Sequence, residues 1–133
     1  MEERYDHIGK GYNDTRKADP YLLSRMEVLL DLKKDGHYLD IGSGTGNYTI
    51  ALNNKGYSFT GIEPAVTMIE KAKGASKSII WKRASAEAIP LTDAAVDGVM
   101  AIFTIHHWAN LSKGFLEVAR VLKPGGRLLI LTD

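Results

Sequence analysis

The spacing of apolar residues along the chain changes near residue 37. Before that point, Asp19 and Pro20 are typical of a helix N-cap followed by a first-turn proline. The apolar residues that follow recur at helical spacing, at Leu22, Leu23, Met26, Leu29 and Leu30. This pattern predicts a helix that runs to about Lys34.

After residue 37 the chain consists of short apolar runs separated by helical patterns. The runs predict five strands, which begin at His37, Ser58, Ser78, Val96 and Arg127. Helical patterns lie at residues 48–54, 65–73 and 111–122. Strands that are apolar on both faces and alternate with helices are typical of a parallel sheet covered by helices. The sequence therefore predicts a single α/β domain, in which residues 86–95 are assigned to no helix or strand.

Composition excludes several classes of function. A net charge of +1 on 133 residues, with the basic residues spread out, indicates no nucleic-acid partner. The absence of cysteine excludes disulfides, thiolate zinc sites and cysteine nucleophiles. The start of the chain is charged, and the longest apolar run, residues 99–105, is too short to span a bilayer. We therefore expect a cytoplasmic protein with no membrane partner.

The first strand runs into the sequence DIGSGTG. Glycines at positions 42, 44 and 46 allow a tight turn, close approach of a ligand to the backbone, and close packing of the next helix. The dinucleotide fingerprint is GxGxxG, whereas here the third glycine comes one residue early. Asp40 would also place negative charge near a pyrophosphate. A ligand with a cation, such as the ammonium of an amino acid moiety, fits this arrangement better.

Glu63 ends the second predicted strand and lies about 20 residues after Gly42, the spacing at which an acid accepts both hydroxyls of a ribose. This spacing occurs in sites for NAD and in sites for S-adenosylmethionine. It indicates a nucleoside without choosing between the two.

Four segments in order resemble the successive motifs of the class I S-adenosylmethionine-dependent methyltransferases, especially the small type 11 group. They are YLDIGSGTGNY, FTGIEPA, RASAEAIPLTDAAVDGVMA and VARVLKPGGRLLI, and the likeness extends from about Tyr5 to the last residue. The resemblance implies a Rossmann-like open parallel sheet of strand order 3-2-1-4-5, with helices on both faces, in one domain spanning residues 1–133. It also implies S-adenosylmethionine as cofactor, S-adenosylhomocysteine as product and a small-molecule methyl acceptor.

The resemblance also implies roles for individual residues. Asp40 would lie near the amino group of the cofactor, and Glu63 would hold the ribose hydroxyls. Pro64 or Ile62 would lie beside the adenine. The loop against the methionine part and the ribose would consist of Gly42, Ser43, Gly44 and Gly46.

Two further regions are implied to face the cofactor. The family usually has an acid where Ser85 stands, so adenine would be held less tightly, while the N–H of Ala86 would meet the ring. Residues 1–18 would form an N-terminal lid, in which Tyr12 contacts the cofactor and Arg16 pairs with its carboxylate. The alternative for this segment is a mobile polar leader.

His106 and His107 follow the fourth strand in FTIHHW, close to where the resemblance places the methyl acceptor. One of them would take a proton from an oxygen or nitrogen nucleophile. Alternatively, both are wall residues packed with Trp108.

Relatives usually have two more strands after the fifth, and this chain lacks them. LKPGG would form the turn into strand five, after a helix that ends near Lys123. A bare fifth strand predicts either a fragment or a homodimer formed through that edge. Three functions remain open: a methyltransferase, a cofactor-binding domain that is non-catalytic or partner-dependent, and, less favoured, an NAD-dependent oxidoreductase.

Overall fold

The structure, a computed structural model, describes residues 18–132. Its helices are α1 (Pro20–Leu29), α2 (Asn47–Asn54), α3 (Val66–Ala75) and α4 (Leu111–Val121). Its strands are β1 (His37–Ile41), β2 (Ser58–Ile62), β3 (Ile80–Lys82), β4 (Val96–Ile102) and β5 (Leu122–Leu131). A short 3-10 helix, Ile105–His107, follows β4. Every helix in this part of the chain falls short of what crossing a membrane would require.

The five strands form one parallel sheet in the order β3-β2-β1-β4-β5, which confirms the predicted topology. In the central strand β1, Asp40 pairs with Gly61 of β2 on one side and with Met100 of β4 on the other. Because all strands run in the same direction, their carboxyl ends lie at one edge of the sheet. The loops after β1, β2, β3 and β4 therefore meet at that edge.

The sheet is apolar on both faces, as its sequence predicts. On one face, Tyr38, Phe59 and Met100 pack against α1 and α2. On the other face, Leu39 and Val99 belong to a second cluster with residues of α4. Helix α3 packs beside β3, around Trp81. Alternate residues of β1 thus point to opposite layers of helices, which is the arrangement that buries a short parallel strand completely.

Helix α1 begins as predicted but ends five residues early. The carboxylate of Asp19 accepts hydrogen bonds from the N–H groups of Tyr21 (2.8 Å) and Leu22 (3.3 Å). The helix stops at Leu29, and Asp31 has a φ of 53°, which a continuing helix cannot contain. The predicted end at Lys34 is wrong because the apolar spacing persists beyond the last helical turn.

Strand β5 begins at Leu122, directly after α4, and not at Arg127. Val96 pairs with Leu122 and Gly98 with Arg127, so residues 123–126 bulge out of the ladder between the two pairs. Gly125 has a φ of 85° within this bulge. The LKPGG motif therefore forms a bulge inside the strand, where the sequence predicted a turn before it.

Residues 86–95 form no helix or strand and are fixed by Arg120 of α4. Its guanidinium donates to the carbonyl oxygens of Ile89 (2.9 Å) and Leu91 (2.8 Å) and to Oδ1 of Asp93 (3.0 Å). Glu117 pairs with this guanidinium and accepts a hydrogen bond from the N–H of Ile89 (2.8 Å). Side-chain bonds thus replace regular secondary structure in holding the segment in place.

Candidate functional site

The glycine loop, residues 42–46, leaves the carboxyl end of the central strand β1. The N–H groups of Gly42 and Ser43 both donate to the carbonyl oxygen of Ile62, at 2.8 and 3.0 Å. Gly46 is the N-cap residue of α2 and donates to the carbonyl oxygen of Ser43 (2.9 Å). The loop is therefore folded back onto the end of β2, the neighbouring strand.

The three glycines of this loop meet different surroundings. Their φ angles of 68°, 61° and 89° all lie in the left-handed region that favours glycine. A Cβ atom at Gly42 would lie 2.1 Å from Oγ1 of Thr104, and one at Gly46 would lie 2.5 Å from the ring of Trp81. At Gly44 the nearest atom would be Sδ of Met68, at 4.0 Å. Close packing therefore explains Gly42 and Gly46, whereas among the three glycines only Gly44 has room for a Cβ atom at ordinary contact distance.

Asp40 is buried, with 3% of its surface exposed. Its Oδ2 accepts a hydrogen bond of 2.6 Å from Oγ1 of Thr49 in α2. Its Oδ1 and the nearby loop hydroxyl of Thr45 are buried and have no hydrogen-bond partner within residues 18–132. Unpaired buried polar atoms are costly, so this carboxyl group is suited to a donor that the described chain does not supply.

Burial raises the pKa of Asp40 to about 7. The hydrogen bond from Thr49 opposes this rise in the pKa, and the negative charge of Glu63 adds to it. At neutral pH both the protonated and the ionised forms of this carboxyl group are therefore populated. A cation beside Oδ1 would favour its ionised form and lower its pKa.

Glu63 follows β2 and is also buried, with 7% of its surface exposed. Its Oε1 accepts a hydrogen bond from the N–H of Gly44, and its Oε2 accepts one from the N–H of Ala65, both at 2.9 Å. An ionised carboxylate has about four lone-pair sites, so each oxygen retains room for one more donor. Because the Gly44 N–H points at a carboxylate, it does not face a site for pyrophosphate, which a dinucleotide-binding loop requires.

The segment after β3 brings Ser85 and Ala86 to the same edge of the sheet. Ala86 is buried and Ser85 is half-buried. Ser85 hydrogen-bonds to Glu87, whose Oε2 accepts a bond of 3.0 Å from the N–H of Asn110, the N-cap residue of α4. Burial opposes ionisation of Glu87, but these hydrogen bonds help to hold the pKa of its carboxyl group below the ordinary value. Ser85 is thereby linked to α4.

Pro64 is exposed directly after Glu63, and its carbonyl oxygen accepts a hydrogen bond of 3.1 Å from Nε of Arg83. The N–H of Glu63 donates to the carbonyl oxygen of Lys82 (3.1 Å). The ends of β2 and β3 are thus joined beside Pro64, one of the residues predicted to lie at the adenine.

His106 and His107 are exposed in the 3-10 helix after β4, with ring centroids 4.1 Å apart. Trp108 is half-buried and turns to α4, where its ring lies 5.4 Å from that of Phe115. The edge that carries the glycine loop therefore also carries both histidines. Tyr12 and Arg16 lie outside the described residues.

Three residues that shape the site were not predicted from the sequence. Thr104 was visible as the polar residue within an apolar run, yet its contact with Gly42 depends on the pairing of β1 with β4. Thr49 and Trp81 carried no signal in the sequence, because their contacts join elements that are separate along the chain.

Comparisons with known proteins find methyltransferases that are similar to this chain in sequence. A family model described as a methyltransferase domain matches residues 39–130. An uncharacterized methyltransferase of Mycobacterium bovis is 38% identical over 90 residues, covering 68% of this chain and 37% of the relative. A demethylmenaquinone methyltransferase of Tropheryma whipplei is 33% identical over 142 aligned residues, covering 92% of this chain and 57% of the relative.

A solved structure extends the likeness to three dimensions. The crystal structure of a protein from an antibiotic biosynthesis pathway of Anabaena variabilis matches with a TM-score of 0.79 at 36% identity. The match covers 86% of this chain and 47% of that chain. The chain thus spans about half the length of this protein, and 37% and 57% of the two curated relatives.

Proposed function

Since the chain belongs to the class I S-adenosylmethionine-dependent methyltransferases, in the family whose methyltransferase domain model matches residues 39–130, we propose that it transfers a methyl group from S-adenosylmethionine to a small-molecule acceptor. The proposed cofactor site lies at the carboxyl ends of β1, β2 and β3. The acceptor then approaches beside the end of β4.

The observation that carries this proposal is the unpartnered, buried Oδ1 of Asp40. The ammonium of the methionine part supplies the cation and the donor that this oxygen lacks. Cofactor binding would thereby remove the unfavourable free energy of a buried oxygen that has no hydrogen-bond donor. A pyrophosphate would instead add negative charge beside both Asp40 and Glu63.

The remaining proposed cofactor contacts use residues at the same edge of the sheet. Gly44, the least tightly packed of the three glycines, offers its backbone to the methionine part and ribose. Glu63 accepts hydrogen bonds from the ribose hydroxyls with its remaining lone pairs. The adenine lies between Pro64 on one side and Ser85 with Ala86 on the other.

Bound S-adenosylmethionine supplies a methyl group that is carried on a positively charged sulfur. Transfer of this methyl group leaves the sulfur as a neutral thioether. The tasks of this chain are therefore to hold the reactants in line and to exclude water. His106 or His107 accepts a proton where the acceptor is an oxygen or nitrogen nucleophile. An acceptor that needs no deprotonation makes both histidines dispensable.

The acceptor is a small molecule in this proposal. The name of the Tropheryma whipplei relative gives demethylmenaquinone as a first compound to test. We also propose that two copies of the chain associate through the outer edge of β5.

The test is a calorimetric titration of the 133-residue chain with S-adenosylhomocysteine, with NAD as the control ligand. We expect S-adenosylhomocysteine to bind at micromolar strength and NAD not to bind. Asp40→Ala should weaken binding by about 1.5–3 kcal/mol, the range for hydrogen bonds to charged groups. The matched control is Asp35→Ala, since Asp35 is exposed and precedes the other end of β1. Preference for NAD, or wild-type affinity in Asp40→Ala, contradicts the proposed site.

Turnover separates the enzyme from a domain that only binds the cofactor. A chain that binds S-adenosylhomocysteine and transfers no methyl group to demethylmenaquinone or other quinone precursors would favour a partner-dependent or non-catalytic role.

A further inference from the structure

We infer that Glu63 is a positioning residue for the glycine loop, in addition to the ribose contact proposed above. Its carboxylate bridges two backbone N–H groups, that of Gly44 in the loop and that of Ala65 at the start of α3. The ligand used in this inference is that of the proposed function, and the positioning role itself rests on these two hydrogen bonds.

The backbone N–H groups of the loop donate to two different kinds of acceptor. The N–H groups of Gly42, Ser43 and Gly46 donate to backbone carbonyl oxygens. The N–H of Gly44 instead donates to a side chain, that of Glu63. Substitution at position 63 can therefore remove the bond at Gly44 and leave the backbone bonds at the other three positions in place.

The packing around the three glycines also indicates that Glu63 restrains the middle one. Gly42 rests against Thr104 and Gly46 against Trp81, whereas a Cβ at Gly44 would meet only Sδ of Met68, at an ordinary contact distance of 4.0 Å. Tertiary packing thus restrains the two outer glycines more tightly than the middle one. Gly44 has a φ of 61°, and a glycine without restraint populates many other conformations. The carboxylate of Glu63 supplies the missing restraint.

The second hydrogen bond anchors the carboxylate itself. Helix α3 has Ala65 as its N-cap residue, which has no side-chain acceptor of its own. Glu63 bonds the N–H of this cap residue, and the positive end of the helix favours the negative charge there. The carboxylate is therefore fixed by α3 and in turn fixes Gly44, so both the loop and the ribose acceptor are oriented before a ligand arrives.

The test compares two ligands with the wild-type chain and Glu63→Ala by calorimetry. The ligands are S-adenosylhomocysteine and its 2′,3′-dideoxy analogue, which has no ribose hydroxyls. If Glu63 acts only through the ribose, wild type and variant bind the analogue equally. If it positions the loop, Glu63→Ala weakens the analogue as well, by about 10-fold or more.

A second readout needs no ligand. Amide hydrogen exchange at Gly44 should become faster in Glu63→Ala than in wild type, while exchange in the core strand β4 stays unchanged. Glu63→Gln keeps the volume and one acceptor oxygen, so it should show a smaller increase, and it replaces Glu63→Ala if that variant does not fold. The control is Glu70→Ala, which removes an exposed carboxylate from α3.

The outcomes distinguish this inference from the proposed function. Equal affinities of wild type and Glu63→Ala for the dideoxy analogue, with unchanged exchange at Gly44, overturn the positioning role. Failure of the wild type to bind either ligand overturns the proposed function, and the exchange measurement then still decides whether Glu63 holds the loop.

Discussion

Thr49 donates a hydrogen bond of 2.6 Å to Oδ2 of Asp40, and Oδ1 of the same carboxyl group is buried with no partner in residues 18–132. Half of this buried carboxyl group is thus satisfied by the protein and half is not. The unsatisfied half has consequences for stability, for ligand binding and for their dependence on pH.

Stability of the ligand-free chain should fall as the pH rises. Burial raises the pKa of Asp40 from 3.8 to about 7 in the folded state. A raised pKa contributes stability that is fully present below the unfolded value, near pH 4, and is lost as the pH passes through 7. Thermal unfolding between pH 5 and 8 measures this, with Asp40→Asn expected to lose the decline. An equal pH dependence in both chains would contradict the assignment.

Ligand binding should show the opposite trend. The ammonium of S-adenosylhomocysteine favours ionised Asp40 and lowers the pKa of this carboxyl group, so binding releases a proton when the pH lies between the lowered value in the complex and about 7. Affinity should therefore rise as the pH increases toward about 7, where free Asp40 ionises. Calorimetry in two buffers of different ionisation enthalpy detects the released proton, and a buffer-independent heat would count against this coupling.

Thr49→Val should shift the pH dependence of ligand affinity to higher pH. The hydroxyl of Thr49 lowers the pKa of Asp40, so its loss raises the pKa further and shifts the rise in affinity to higher pH. The variant should also be less stable at pH 8 by about 1–3 kcal/mol, because an ionised buried acceptor loses its donor. Thr67→Val, at an exposed position of α3, is the matched control. An unshifted profile would show that this bond does not tune Asp40.

Asp40 and Glu63 are examples of site residues that could be predicted from the sequence. Both acids stood out because they directly flank strand ends near glycines, and the five strands followed from short apolar runs. The end of α1 and the start of β5 were misplaced, since apolar spacing continues past Leu29 and the Pro-Gly-Gly sequence at residues 124–126 signals a turn as readily as a bulge inside a strand.

The missed contacts share a physical cause. Thr49, Trp81 and Thr104 act on the loop across different helices and strands, so their roles depend on the register of the sheet. Arg120 likewise fixes residues 89–93, which lie about 30 positions earlier along the chain. Periodicity reports which face of an element is buried, and it does not report which partner meets that face.

Alanine at two positions of the glycine loop should separate packing from binding. Gly46→Ala places a methyl group against Trp81 and should strongly lower the unfolding temperature. Gly44→Ala has room for the methyl group and bears only the left-handed backbone cost of about 1–3 kcal/mol. Its loss in affinity for S-adenosylhomocysteine should exceed its loss in stability. Equal effects of the two changes on melting temperature and affinity would contradict the separate roles.

The outer edge of β5 should mediate self-association of the 133-residue chain. In residues 18–132, β5 pairs with β4 alone, and Leu128, Leu129, Ile130 and Leu131 are only half-buried. Unpaired backbone groups beside apolar side chains favour pairing with a second edge. Light scattering at tens of micromolar should therefore give the mass of a dimer. Ile130→Lys places a charge on this edge outside both core clusters that flank the central strand, and it should restore the monomer mass without lowering the unfolding temperature. A monomeric wild-type chain would instead show that the edge is protected without a second copy.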